Sequence, residues 1–263
     1  MDSDTAAAYL ARIGARPGAA PDAVSLCDLA YRHVTTVPFE NIDIHLGHRL
    51  SLAEDALADK IVRRRRGGFC YELNGLFARL LTALDYDVTL LAARVWGGGA
   101  ELGPPMDHVA LRVDLDEPWL VDVGFGRHAL YPLRLDDRND QQDPEGVFRI
   151  QPAQVADDLD VLHEGTPVYR VSSRPMELAD FAPMCWYQQT SPESGFTASL
   201  TCSLPQPDGR VTISGLRLVR TLKGQRSEEM LTEAEALVVY RDVFGFELDA
   251  VPMPGDPAVH LPA

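Results

Sequence analysis

Leu73, Leu76, Phe77, Leu80, Leu81 and Leu84 recur at intervals of three and four, which predicts a helix over 70–84. Tyr9, Leu10 and Ile13 make a second apolar stripe, and Leu26, Leu29, Ala30 and Val34 a third. Residues 54–63 fit a short helix, and Pro17, Pro21 and Pro38 punctuate the region. From Val88 the pattern turns to strands. Residues 88–96 form one, closed by Gly97-Gly98-Gly99, and 108–113 with 119–123 form a hairpin around Asp114–Pro118. A polar, turn-rich stretch follows at 136–146, then strands at 148–150 and 168–172. Residues 180–187 read as a helical junction, 197–200 and 210–218 as strands, and 233–243 as a last helix. The proline-rich tail after Val251 is expected to be poorly ordered. The order is a helical third, a β third and a mixed third.

Composition narrows the class. The 263 residues are 46% hydrophobic and 24% charged, as in an ordinary globular protein. No apolar run approaches the roughly 18 residues that span a membrane, and Met1-Asp2-Ser3-Asp4 lacks the features of a signal peptide. A cytoplasmic location is expected. The net charge of −15 argues against a nucleic-acid or anionic-membrane partner. Against that background the run Arg63-Arg64-Arg65-Arg66 is an exception. It either pairs with surplus carboxylates, the preferred reading for most of the four, or attracts an anionic ligand. Cys27, Cys70, Cys185 and Cys202 are scattered without a CxxC pair, so neither a disulfide framework nor a metal site is implied.

Cys70 stands apart from the other three. It follows Gly67-Gly68-Phe69 and opens the best-predicted helix. A helix N-terminus favours the thiolate, and paired glycines let another molecule approach the backbone. A thiolate nucleophile needs a base, and the base needs a group that orients it. His108 begins one hairpin strand and Asp122 ends the next. If the turn centres near Asp116, position 108 faces 124 and 110 faces 122. His108 and Asp122 then share a face, and a slip of one residue would part them. Residue types alone leave two readings open. One is an activated Cys-His-Asp triad. The other is a packed thiol, a hydrogen-bonded histidine and a turn-forming aspartate.

Several segments, in order along essentially the whole chain, resemble the arylamine N-acetyltransferase family. They include Val37-Pro38-Phe39-Glu40-Asn41-Ile42-Asp43, Lys60-Ile61-Val62, Arg66-Gly67-Gly68-Phe69-Cys70-Tyr71-Glu72-Leu73-Asn74 and Val121-Asp122-Val123-Gly124-Phe125-Gly126. The resemblance implies an α+β fold: a helical bundle over 1–84 carrying the nucleophile, a β-barrel over 85–190 carrying histidine and aspartate, and an α/β lid over 191–263. It implies a papain-like catalytic triad of Cys70, His108 and Asp122, and acetyl transfer from acetyl-CoA to an arylamine, arylhydroxylamine or hydrazine. Phe39 and Phe125 would hold the acceptor ring. Trp96 and Gly126, with Gly97-Gly98-Gly99, would border the CoA cleft. Arg66 and Glu40 would brace the loop before Cys70. His128 and His163 are expected to be structural or exposed. No metal and no permanently bound cofactor are implied. An alternative within the same family resemblance is an amide synthase that takes a polyketide chain from an acyl carrier protein and closes a macrolactam.

Overall fold

The computed structural model describes residues 1–252 apart from 17, 19, 98–100 and 156. Gly98, Gly99 and the tail from 253 onward therefore lie outside the described residues. Asp2 and Asp22 start the first two helices, Ser3–Ile13 and Ala23–Thr36, by accepting the Thr5 and Ser25 N–H groups at 2.7 Å. The predicted third helix is Cys70–Ala83, and Glu72 reaches back to accept the Phe69 N–H at 3.2 Å. Residues 54–63 do form a helix, but it widens from an α-turn at Glu54–Ala58 to a π-turn at Asp59–Arg63. The last helix divides in the same way, into Glu233–Val239 and Tyr240–Phe244.

Eight antiparallel strands make a nearly closed barrel. Their order is Leu133–Arg134, Pro118–Val121, His108–Asp114, Asp87–Val95, Thr166–Met176, Leu159–His163, Gly146–Pro152 and Gln141–Asp143. Across the remaining gap the Gln141 side chain accepts the Arg134 N–H at 2.8 Å and donates to the Arg134 carbonyl at 3.0 Å. It thereby satisfies two backbone groups that an open edge would leave bare. Leu91, Leu120, Phe148, Ile150, Val161 and Tyr169 fill the interior. Leu111, Val113, Val121 and Val123 point the other way, onto Tyr9, Leu26, Leu76 and Phe77 of the helices.

The hairpin register is the expected one: Leu111 faces Val121 and Asp114 faces Pro118, so the turn centres on Asp116. Positions 110 and 122 are then opposite, and His108 and Asp122 lie on the same face.

A second sheet runs Phe39–Glu40, Cys202–Gln206, Gly209–Ser214, Arg217–Leu222 and Gln225–Met230. Phe39 and Glu40, early in the chain, pair with Ser203 and Cys202. The single strand expected over 210–218 is two, because Gly215 turns the chain at φ 57°. The strand expected at 197–200 is a correction as well. Ser194 caps a short helix there, Gly195–Ala198, by accepting the Phe196 N–H at 3.1 Å. Asn41 then holds this turn in place. Its amide donates to the Phe196 and Ser199 carbonyls, and its oxygen accepts the Thr201 N–H.

Candidate active site

Cys70, at the start of its helix, opens onto a cavity of about 440 Å³ that His108, Gly124, Phe125, Phe39 and Phe196 also line. Its Sγ lies 4.0 Å from the Asp107 carbonyl oxygen. His108 Nε2 is 2.7 Å from Asp122 Oδ2, and both residues are buried. Burial opposes the charge on Asp122, but His108 outweighs it and holds the carboxyl below its usual range. An ionised Asp122 can only accept, so Nε2 carries the proton and Nδ1 is the free acceptor. The other Asp122 oxygen accepts from Asn74 Nδ2 at 2.9 Å and the Gly124 N–H at 3.0 Å.

Asn74 escaped the sequence reading. It sits four residues after Cys70, on the same helix face, and is fully buried. Its amide also donates to the Val109 carbonyl at 2.7 Å, while its oxygen accepts the Val123 N–H at 2.9 Å. One side chain thus joins the Cys70 helix to the first hairpin strand and to the chain just past the second. Gly124 permits that approach, because a Cβ there would meet Cys70 Cα and Asn74 Nδ2, each at 2.8 Å.

Two expectations about Cys70 are corrected. The helix start predicted a lowered thiol pKa. Instead burial, followed by the Asp122 charge, pushes it well above its ordinary value. An isolated thiolate is disfavoured in this position, so thiolate and imidazolium must form together as a pair. The glycines before Cys70 also serve a different purpose. A Cβ on Gly67 would lie 1.9 Å from the Pro38 carbonyl oxygen, and one on Gly68 would lie 2.7 Å from Glu72 Oε2. The close approach is made by the protein's own chain.

Behind Cys70 lies a closed group of charges. Lys60 Nζ is 2.8 Å from both Asp43 Oδ2 and Glu72 Oε1. Arg66 Nη2 is 2.9 Å from Glu40 Oε1 and 3.2 Å from Asp43 Oδ1. Burial works against Lys60 and Arg66, but the carboxylates outweigh it and raise both above their usual values. For Glu72 burial prevails, and its carboxyl is raised. The Arg66–Glu40 pair was legible in the sequence, whereas its enclosure by Lys60, Asp43 and Glu72 was not. Arg63 and Arg64 pair with Asp59 at the surface, the bland reading of the arginine run.

Residues 22–252 match a family model described as N-acetyltransferase. Human arylamine N-acetyltransferase 1 is 32% identical over 95% of this chain and 97% of its own length. The arylamine N-acetyltransferase of Mycobacterium bovis is 36% identical over 88% of this chain and 85% of its own. The chain belongs to the arylamine N-acetyltransferase family. The solved arylamine N-acetyltransferase of Salmonella typhimurium superposes with a TM-score of 0.85, at 32% identity over 94% of this chain and 92% of that one. Membership makes the protein an acyltransferase of the arylamine N-acetyltransferase type. It does not favour the amide-synthase alternative.

The remaining candidates sit as follows. Phe125 stands edge-on to the His108 ring, with centroids 5.1 Å apart. Phe39 borders both the cavity and a second cleft of about 420 Å³. Phe196, hidden from sequence reading inside the unexpected helix, tilts against Phe39 at 6.2 Å. Gly126 lines the second cleft. Trp96 lies at the strand end with the Arg170 guanidinium 5.3 Å from its ring, and its neighbour Val95 lines the Cys70 cavity. His128 is buried with Nε2 3.3 Å from the Tyr169 hydroxyl, and burial lowers its pKa to about 4. His163 stacks on Phe148 at 4.5 Å. Among the described residues, no helix is long and apolar enough to cross a membrane.

Proposed function

We propose that the chain moves an acetyl group from acetyl-CoA to an arylamine, arylhydroxylamine or hydrazine, through an acetyl-Cys70 thioester. The observation that carries this reading is the His108–Asp122 hydrogen bond in the cavity onto which Cys70 opens. His108 Nδ1 takes the Cys70 proton, and the thiolate attacks the thioester carbonyl. The tetrahedral intermediate collapses, the C–S bond to CoA breaks, and the imidazolium returns its proton to the departing CoA sulfur. An amine then attacks acetyl-Cys70, His108 accepts its proton, and the amide leaves as the Cys70 sulfur is freed. Asp122 stabilises the imidazolium and fixes its tautomer. Phe39 and Phe125 offer ring faces to an aromatic acceptor.

The second cleft supports CoA as donor. In the five-stranded sheet Ser203 faces Thr212, and Arg210 faces Thr221, which faces Arg226. These hydroxyls and guanidiniums, with Arg127 and Arg217, line the cleft on the face opposite the apolar Leu204, Val211 and Ile213. Arg127 and Arg210 share Glu145, and Arg217 and Arg226 share Glu228, so this hydroxyl-rich face stays net cationic on a protein of net charge −15, which suits the phosphates of CoA. Phe39, Phe125 and Thr201 border both spaces, so a donor on this face reaches Cys70. The expected location is the compartment that holds acetyl-CoA, the cytoplasm.

Intact-mass measurement after mixing with acetyl-CoA, or with an acylated carrier protein, tests the reading. One acetyl group should appear on the wild type from acetyl-CoA, be absent in Cys70→Ser, and disappear when an aryl amine is added. An adduct that persists in Cys70→Ser, or that an amine leaves in place, refutes it.

A further inference from the structure

Asp107 precedes His108 and is the one carboxylate among the described residues lining the Cys70 cavity. The other lining groups are aromatic, aliphatic, amide or hydroxyl, apart from Cys70 and His108 themselves. The carboxylate is held in place. Its Oδ1 accepts the Val95 N–H at 3.0 Å. Gly103 leaves room for the other oxygen, since a Cβ there would fall 2.0 Å from Oδ2. Arg94, the nearby cation on the Asp87–Val95 strand, favours the charged form at a distance without forming an ion pair with it, because its guanidinium donates to the Gly103 and Leu102 carbonyls. His108 on its own strand, and Cys70 and Tyr71 on the helix, are the other titratable groups that face it. A negative charge thus stands beside the space where the acceptor must meet acetyl-Cys70.

We infer that Asp107 selects acceptors by charge, admitting neutral aryl amines and hydrazines and rejecting those that carry an anionic ring substituent. This rests on the proposed acetyl transfer for its biological sense, but not for its test. The selection opposes that of the neighbouring arginine face. An anion is drawn to the donor cleft and repelled from the acceptor cavity, which keeps the two half-reactions from sharing ligands. At the edge of a half-buried site, one like charge within several ångströms is worth about a tenfold loss in affinity. Burial raises the Asp107 pKa to about 6, so the charge is present at neutral pH and fades in mild acid.

Sulfanilamide and sulfanilate have nearly the same shape, and the second remains anionic from pH 8 to pH 5. Equilibrium binding of both to the whole protein reads the selection without turnover. Wild type should bind sulfanilamide about tenfold more tightly at pH 7.5. That preference should fall to within about twofold in Asp107→Asn, whose amide oxygen still accepts the Val95 N–H. It should shrink at pH 5 by more in wild type than in the variant, whose own pH dependence subtracts the contributions of His108, Cys70 and Tyr71. Equal preference in wild type and variant overturns the inference. If Asp107→Asn does not fold, Asp107→Ser serves the same comparison, and a preference unchanged by both pH and substitution again overturns it. Acetyl-Cys70 formation is measured alongside. A charge preference without acetylation supports the selector and refutes the catalytic reading. Acetylation with an unaltered preference does the reverse.

Discussion

Two groups of buried charge lie on either side of the Cys70 helix, and they behave differently. On one side Lys60, Arg66, Glu40, Asp43 and Glu72 form a closed cluster with contacts of 2.8–3.2 Å. On the other, His108 and Asp122 make a single contact of 2.7 Å at the wall of a cavity. Distance and burial do not separate them. Access does. The cluster's cations are held charged by surrounding carboxylates and closed off from the cavity, whereas the His108 ring lines it. The cluster fixes where the chain enters the helix, and the pair presents the His108 ring to the cavity.

Removing the carboxylate of the pair gives the largest expected effect. In Asp122→Asn, kcat should fall on the order of 10³–10⁴-fold, because the amide no longer fixes the Nε2–H tautomer or stabilises the imidazolium. The Asn variant retains an oxygen for the Gly124 N–H, so the melting temperature should move by only a few degrees. Loss of folding in step with loss of activity would erase the contrast with the cluster.

The cluster should show the opposite pattern. Lys60→Met leaves Asp43 and Glu72 buried without their shared cation, at a cost of about 3–5 kcal/mol in unfolding free energy. Activity per folded molecule should stay within a few-fold of wild type, as judged by urea unfolding and active-site titration of the same sample. A catalytic collapse at unchanged stability would mean that the cluster takes part in the chemistry.

Acid should also strip stability from groups that do no chemistry. Burial depresses His33 to about 3 and His128 to about 4, below their ordinary 6.5. The unfolded chain therefore binds these protons first. Stability contributed by the neutral native forms is complete above pH 6.5 and falls as pH drops toward the folded values. Each contributes a slope of about 1.4 kcal/mol per pH unit in that window. Urea unfolding at pH 7 and pH 5 should show it, and His128→Gln should reduce the slope by about half. A slope left intact in that variant would assign it elsewhere.

The smallest effect concerns the aromatic walls. Phe39→Ala and Phe196→Ala should each raise KM for the aryl amine by an amount equivalent to about 1–3 kcal/mol, with cysteine acetylation less affected. Measuring the two half-reactions separately tests this. Slower acetylation with unchanged aminolysis would move these rings to the donor side.

Much of this was legible from local spacing. The Cys70–Ala83 helix followed from its leucines, and the hairpin register from the turn around Asp116. That register depends on a period of two and a turn centre, both properties of a few adjacent residues. Asn74 had a usable signal, an amide side chain one helical turn from Cys70. Phe196 had none, since the strand pattern at 197–200 was overridden by a serine cap.

The sequence by itself determined the long helices of the first third, the strand order of the hairpin, the family, and the candidates Cys70, His108 and Asp122. These rest on periodicity and motif, which are written in consecutive residues. Only the tertiary structure decided that the Cys70 thiol is pushed up rather than down, that Lys60 closes a cluster with Asp43 and Glu72, and that arginines from three strands share one cleft with Arg127. Each of those depends on burial and on charges brought within a few ångströms from distant parts of the chain. Desolvation and Coulomb energy are set by distance in space, and spacing along the sequence carries no measure of it.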